Sequence, residues 1–174
     1  MDTLSAIFTR RSVRKYQPGE LTEKQIENLL KAAMSAPSAA NSQPWHFVVV
    51  DDHKKLNQIS CFHPYAKMAA EAALAILVCA EPALEKFPGF WPQDCAAAVQ
   101  NILLAAHAQA LGAVWVGIYP GNDSTPFREL FELPQGIEPM ALVVIGSAPS
   151  NPEEPDRYLP ERVHYNKFTP KAAL

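Results

Sequence analysis

Apolar residues recur along this chain with two different periods, and the changes of period divide it into elements. Leu4, Ile7 and Phe8 stand at helical spacing and predict a short helix over residues 2–10. Ile26, Leu29, Leu30, Ala33 and Met34 predict a second helix. Thr22 and Gln25 open it as a capping box, and Pro37 stops it, because the residue before a proline leaves the helical region. A polar loop over residues 37–45 leads into a strand at 46–50. Helices follow at about 52–60 and 64–73, then an apolar strand at 74–79. Residues 81–92 hold three prolines and a glycine and read as a loop.

The next segment breaks the amphipathic pattern. From Gln93 to Leu111 apolar residues cover most of the helical circumference, which predicts a helix buried on nearly all sides. Two readings stand: a helix central to one chain's core, or one buried at a subunit interface. Gly112 ends it as a left-handed residue beyond the C-cap. A strand at 113–118, a helix at 125–132 capped by Ser124 with Pro126 in its first turn, and a last strand at 141–145 complete the pattern. Five prolines lie between 149 and 170, yet Tyr158, Val163, Tyr165 and Phe168 suit a tail lying along another surface. The chain reads as one domain, 1–174, with 149–174 as its extended tail.

Composition narrows the function classes. The 174 residues are 48% hydrophobic and 19% charged, a globular balance. A net charge of −3 from 15 basic and 18 acidic residues gives no bulk attraction to nucleic acid or an anionic membrane. The longest apolar run, Ala72 to Ala80, falls well short of the roughly 20 residues that span a bilayer. No apolar segment of leader type follows Met1, so no secretory signal is expected. Cys61, Cys79 and Cys95 are odd in number and scattered, which argues against a disulfide framework and for a reducing, cytoplasmic setting. Cys79 reads as core. The five histidines show no ligand spacing, so no metal site is expected. His46 and His107 read as structural histidines, and Asp94 and Glu71 as buried polar partners.

Two segments carry candidate chemistry. Arg10, Arg11, Ser12 and Arg14 place three guanidiniums and a hydroxyl within five residues after a helix. Such forks bind phosphate in bidentate fashion. The 37–45 loop is dense in Ser, Asn and Gln and stiffened by Pro37 and Pro44, so it presents donors and acceptors at low ordering cost. Each alone also fits a solvated turn. Trp45 reads as a core plug or as a residue beside the loop's ligand; Trp91 lines a substrate mouth or anchors its loop.

Together, RRSVRKY and SAPSAANSQPWHFVVV, joined by LTEKQIENLLKAAMSAP, resemble the nitroreductase family of FMN enzymes. DCAAAVQNILLAAHAQALGAVWVGIYP is similar to that family's long core helix and following strand, and DRYLPERVHYNKF to the end of its short members. The resemblance implies an α+β fold: a central, mostly antiparallel sheet packed by helices around a long core helix, in a homodimer with FMN at the subunit interface. It implies that Arg10 and Ser12, with Arg11, hold the FMN phosphate, and that Arg14 reaches the flavin pyrimidine, where a cation stabilises the reduced ring. Pro37, Ser38, Ala39, Asn41 and Gln43 would cover the ring from the partner subunit. Trp115, Val116, Gly117 and Ile118 would lay their backbone beside flavin N5, and Arg157 or Arg162 would complete the phosphate pocket.

The implied activity is ping-pong reduction of nitroaromatic, quinone or similar small acceptors with NADH or NADPH as donor, and no side-chain acid or nucleophile is expected. Reduced-FMN chemistry of another kind, dehalogenation or flavin fragmentation, and a flavin-binding carrier or sensor without turnover are the alternatives. The chain departs from longer relatives in having Gly117 where they carry an acidic residue. Tyr65 or Lys67 stands where they carry an asparagine, and the short 81–92 loop replaces their lid.

Overall fold

A four-stranded antiparallel sheet organises the computed structural model, which describes residues 1–121, 124–149 and 156–168. The strands are β1 (Trp45–Val50), β2 (Leu74–Ala80), β3 (Leu111–Gly117) and β4 (Glu138–Ser147), in the order β1-β2-β4-β3. The helices are α1 (Thr3–Thr9), α2 (Glu23–Met34), α3 (His53–Phe62), α4 (Trp91–Ala108) and α5 (Thr125–Leu130). Every residue of β2 is buried, because both sheet faces are covered. Leu74, Ile76, Val78 and Ala80 face a core shared with α2 and α4. Ala75, Leu77 and Cys79 face a second core shared with α3 and α5. The period of two splits one apolar run between two cores.

The capping box at Thr22 and Gln25 forms as expected. Ile102 on α4 is fully buried between α2 and the sheet; cutting it to alanine costs about 2–5 kcal/mol. Within one chain α4 buries Trp91, Cys95, Ala98, Val99, Ile102, Leu103 and Ala106, but leaves Gln93, Gln100 and Ala108 exposed and Ala97 and Leu104 half-buried. It is therefore a core helix with one side open, not one enclosed all round.

Several expected boundaries move. The helix expected at 64–73 is a short 3-10 segment, Lys67–Glu71. Ala66, Ala69 and Ala72 recur every third residue and all three are buried, a period that suits three residues per turn. α4 starts at Trp91 and ends at Ala108, with Ala110 taking the left-handed turn at φ 57°. Gly112 is not a helix cap; it lies within β3, where a Cβ would sit 2.8 Å from Val13 Cγ1. Ser124 holds the N-cap position of α5 without a side-chain capping bond. The last strand is longer than expected, because both cores continue along it. The tail's residues 150–155 and 169–174 lie outside the described residues.

Candidate functional site

α1 ends at Thr9, and the chain then runs extended along the sheet edge. Val13 N–H donates to Ala113 O at 2.9 Å and Gln17 N–H to Ser147 O at 2.9 Å. In this extended stretch Val13 and Tyr16 turn inward and are buried, which leaves Ser12 and Arg14 exposed. Arg10 and Arg11 are half-buried and line a cleft of about 630 Å³ with Ile7, Phe8, Asp156, Arg157 and Tyr158. Burial pulls the Arg10 guanidinium below its ordinary pKa, helped by the charges of Arg11 and Arg157. None of the ion pairs among the described residues involves Arg10 or Arg157. Crowded cations of this kind are relieved by a bound anion. Arg11 also folds back on α1, donating to Phe8 O at 2.7 Å and Arg10 O at 2.6 Å. Of the two tail arginines, Arg157 lines this cleft and Arg162 does not.

A second cleft, of about 480 Å³, lies between Arg14 and the β3 end. Pro64, Tyr65, Lys67 and Met68 form one wall, and Val114, Trp115, Val116 and Gly117 the other. Gly117 is exposed, and a Cβ built there would meet nothing within 4 Å. The missing side chain leaves the backbone open to a flat ring. Ile118 does not line the cleft: its side chain is buried and its N–H donates to Met140 O at 3.1 Å. A flavin fits this chemistry: cations at one cleft, and a cation beside open strand backbone at the other.

The 37–43 loop lines neither cleft of its own chain. Ala40, Asn41 and Gln43 all take left-handed backbone, at φ 51°, 54° and 49°, which costs of order 1–3 kcal/mol per residue for side chains that do not favour it. Local bonds hold this shape. Gln43 N–H donates to Ser38 Oγ at 2.9 Å and Gln43 Nε2 to Asn41 Oδ1 at 3.0 Å. Lys86 ties the loop to the next one, through its N–H to Ser42 Oγ at 3.1 Å and its Nζ to Ala40 O at 3.0 Å. Asp94 Oδ1 accepts the Ala39 N–H at 3.0 Å. Pro37, Asn41 and Gln43 are exposed and Ser38 and Ala39 half-buried.

Two aromatic questions resolve by burial. Trp45 is in the core with Leu29 and Trp91. Trp91 is the first residue of α4, its N–H held by Glu85 Oε1 at 2.6 Å, its ring 4.6 Å from that of Tyr119; it anchors the loop. His46 is exposed and pairs with Glu81 at 3.0 Å, so it is a surface histidine rather than a structural one. His107 is buried, with Nε2 2.7 Å from Thr9 Oγ1. Thr9 Oγ1 donates its hydrogen to Ser5 O at 2.6 Å, so His107 carries its proton on Nε2. Burial, then the charges of Arg10 and Arg11, hold its pKa below the ordinary value. Burial pushes the Cys79 and Cys95 thiols up to about 12, which makes them inert. Cys61 is exposed, and all three cysteines are free.

The sequence reading missed Pro64, Met68 and Val114 as cleft residues, and Lys86 as a tether. It also missed His63, a buried histidine whose Nδ1 accepts the Tyr65 N–H at 3.3 Å. Nothing local marked them; they meet the site only through the fold. Among the described residues no group of side chains could hold a metal ion, and no helix is long and apolar enough to cross a membrane.

The nitroreductase family model matches residues 7–147. A Methanothermobacter thermautotrophicus protein is 48% identical over 169 residues, covering 97% of this chain and 88% of its own. It is named "Putative NADH dehydrogenase/NAD(P)H nitroreductase", as is a solved Bacteroides thetaiotaomicron structure that is 40% identical, with a TM-score of 0.90 over 95% of this chain and 97% of that one. A Desulfovibrio desulfuricans structure, "a putative nitroreductase in complex with fmn", is 31% identical, with a TM-score of 0.84 over 95% of this chain and 97% of that one.

Proposed function

Since this chain belongs to the nitroreductase family, we propose that its two arginine-walled clefts hold one FMN and that it is an NAD(P)H-dependent oxidoreductase acting on small acceptors. When bound, FMN supplies the chemistry, taking two electrons from NAD(P)H and passing them to an acceptor. The residues of this chain bind, orient and tune. Arg10, Arg157 and Ser12 hold the phosphate, with Arg11 joining them after bracing α1. Arg14 sets a positive charge at the pyrimidine edge, where reduction adds negative charge. Gly117, with Trp115 and Val116, leaves backbone flush against the ring.

The observation that carries the reading is the pairing of an arginine cluster, in which Arg10 has no carboxylate partner among the described residues, with an open strand end at Gly117. Nitroaromatics and quinones are the acceptor class we infer, from the chain's membership of the nitroreductase family and the names its relatives carry. Anaerobic NAD(P)H titration of the purified yellow protein, followed by addition of a quinone or a nitroaromatic, tests it. Bleaching by NAD(P)H and recovery of colour with the acceptor is expected; failure to bleach leaves a carrier, and bleaching without recovery points to other reduced-FMN chemistry.

We further propose a homodimer in which the partner's Pro37, Ser38, Ala39, Asn41 and Gln43 cover the ring. The loop lines neither cleft of its own chain, its strained shape suits a ligand outside that chain, and apolar surface remains to be covered. Leu4, Ile7 and Phe8 on α1 are exposed, as are Tyr158, Tyr165 and Phe168 on the tail, and the open side of α4 carries Ala97 and Leu104. The three cysteines, all free and scattered, support a cytoplasmic setting.

A further inference from the structure

We propose that Asp94 is the positioning residue that fixes the 37–43 loop in its flavin-covering shape; the proposal rests on the reading of that loop as the cover of the partner subunit's FMN. Asp94 sits in the first turn of α4 and is only 6% exposed. One carboxylate oxygen accepts the Ala39 N–H at 3.0 Å. The other, Oδ2, is buried and has no hydrogen-bond partner among the described residues. The bond falls at the entry to the run in which Ala40, Asn41 and Gln43 take left-handed backbone.

A buried carboxylate with one oxygen unsatisfied is a poor choice for packing alone. The helix start offsets part of that cost, since the positive end of the helix dipole favours a negative charge there. What the carboxylate adds is an acceptor for the one amide at which the loop leaves extended backbone. The Lys86 and Ser42 bonds then act on a loop whose entry is already fixed. Without the Ala39 bond the loop spreads over several shapes, and apparent FMN affinity falls by the fraction that remains competent. Asp94 lines neither arginine cleft of its own chain, and its side-chain hydrogen bond goes to the loop, so the loop is the route by which it acts on FMN in this proposal.

The test uses intact dimers and per-site FMN affinity read from flavin fluorescence. Asp94→Ala homodimers should bind FMN about ten-fold or more weakly at every site, the loss of a hydrogen bond to a charged group. Asp94→Asn keeps an acceptor oxygen and should stay within about three-fold of wild type. Mixed dimers of Arg10→Ala and Asp94→Ala chains should carry both lesions in one site and neither in the other, so half the sites recover wild-type affinity. Mixed dimers of Arg10→Ala and Asn41→Ala chains control the underlying reading. If the Asn41 pair recovers half its sites and the Asp94 pair does not, the Asp94 proposal is overturned and the loop reading stands. If neither pair recovers, the loop reading fails and takes the proposal with it. Wild-type affinity in Asp94→Ala also overturns it. Where Asp94→Ala does not fold, Asp94→Ser, too short to reach the Ala39 amide, replaces it in both arms with the same expected and overturning results.

Discussion

The ring of Tyr16 occupies the space that a side chain at Gly146 would need: a Cβ there would lie 2.9 Å from Tyr16 Cδ1 and 3.0 Å from Cγ. The Tyr16 hydroxyl, buried beneath, faces the Val13 carbonyl at 2.8 Å and the Val144 carbonyl at 3.0 Å, and burial raises its pKa. This contact clamps the extended segment that carries Arg10, Ser12 and Arg14 onto β3 and β4. Gly146→Ala should push Tyr16 outward and cost about 1–3 kcal/mol in denaturant unfolding. FMN affinity should fall with it. A variant of unchanged stability would mean that the segment shifts freely, and that the glycine is not what seats it.

Arg10→Ala removes one cation from the phosphate cleft. FMN affinity should drop about ten-fold or more, the value of a charge-assisted hydrogen bond. Riboflavin, which lacks the phosphate, should bind wild type and variant alike. Arg157→Ala should reproduce the effect and Arg162→Ala should not, since only Arg157 shares the cleft with Arg10. Parallel titrations of the two flavins decide it; equal losses for both ligands would assign Arg10 to the fold instead.

Gly117→Val separates binding from stability. The position has no left-handed backbone and a Cβ added there would meet nothing within 4 Å, so a strand-favouring side chain is accommodated. Thermal unfolding of the apoprotein should stay within about 0.5 kcal/mol of wild type. The new side chain fills the cleft beside Trp115, so flavin binding should weaken several-fold. Undiminished flavin affinity would place the ring elsewhere.

Two buried histidines set a pH dependence. Burial holds both His63 and His107 below the ordinary histidine pKa, with Arg10 and Arg11 adding to the effect at His107. The unfolded chain takes the ordinary value of about 6.5, so on acidification it binds protons before the native state does. Stability is therefore full above about pH 6.5 and is lost as pH falls through the lowered native values. Denaturation midpoints measured from pH 7.5 downward should fall through this window, and His107→Gln should flatten the decline. Phosphate bound beside Arg10 offsets their charge, so FMN should raise the His107 pKa in an NMR titration.

Dimerisation and flavin binding should be linked. If FMN binds only the dimer, excess FMN shifts the dimer–monomer equilibrium by mass action. Sedimentation at micromolar concentration should show a dimer of twice the 19.1 kDa chain, and dilution should release subunits and flavin together. A monomer that retains FMN would remove the need for the partner's loop.

Much of this protein is determined by local sequence. Thr22 and Gln25 fix the start of α2 because a capping box is a contact between residues three apart. The arginine cluster after α1 is legible for the same reason, since Arg10, Arg11, Ser12 and Arg14 bring their chemistry within five residues. The long apolar run at 93–111 announces a buried helix. It does not reveal which side stays open, because α2 and the sheet decide that from far along the chain. Gly112 shows the limit: after a helix a glycine suggests a left-handed cap, and only the approach of Val13, 99 positions earlier, makes it a strand residue. The 64–73 segment lost its helix because Ala66, Ala69 and Ala72 had to face one core together. Tertiary structure alone set Arg157 rather than Arg162 beside Arg10, opened the cleft between Tyr65 and Gly117, and joined Asp94 to Ala39 across 55 positions. Local propensity and motif chemistry act over three or four residues. A cleft is made where distant segments meet, and its walls are fixed by packing that no single segment encodes.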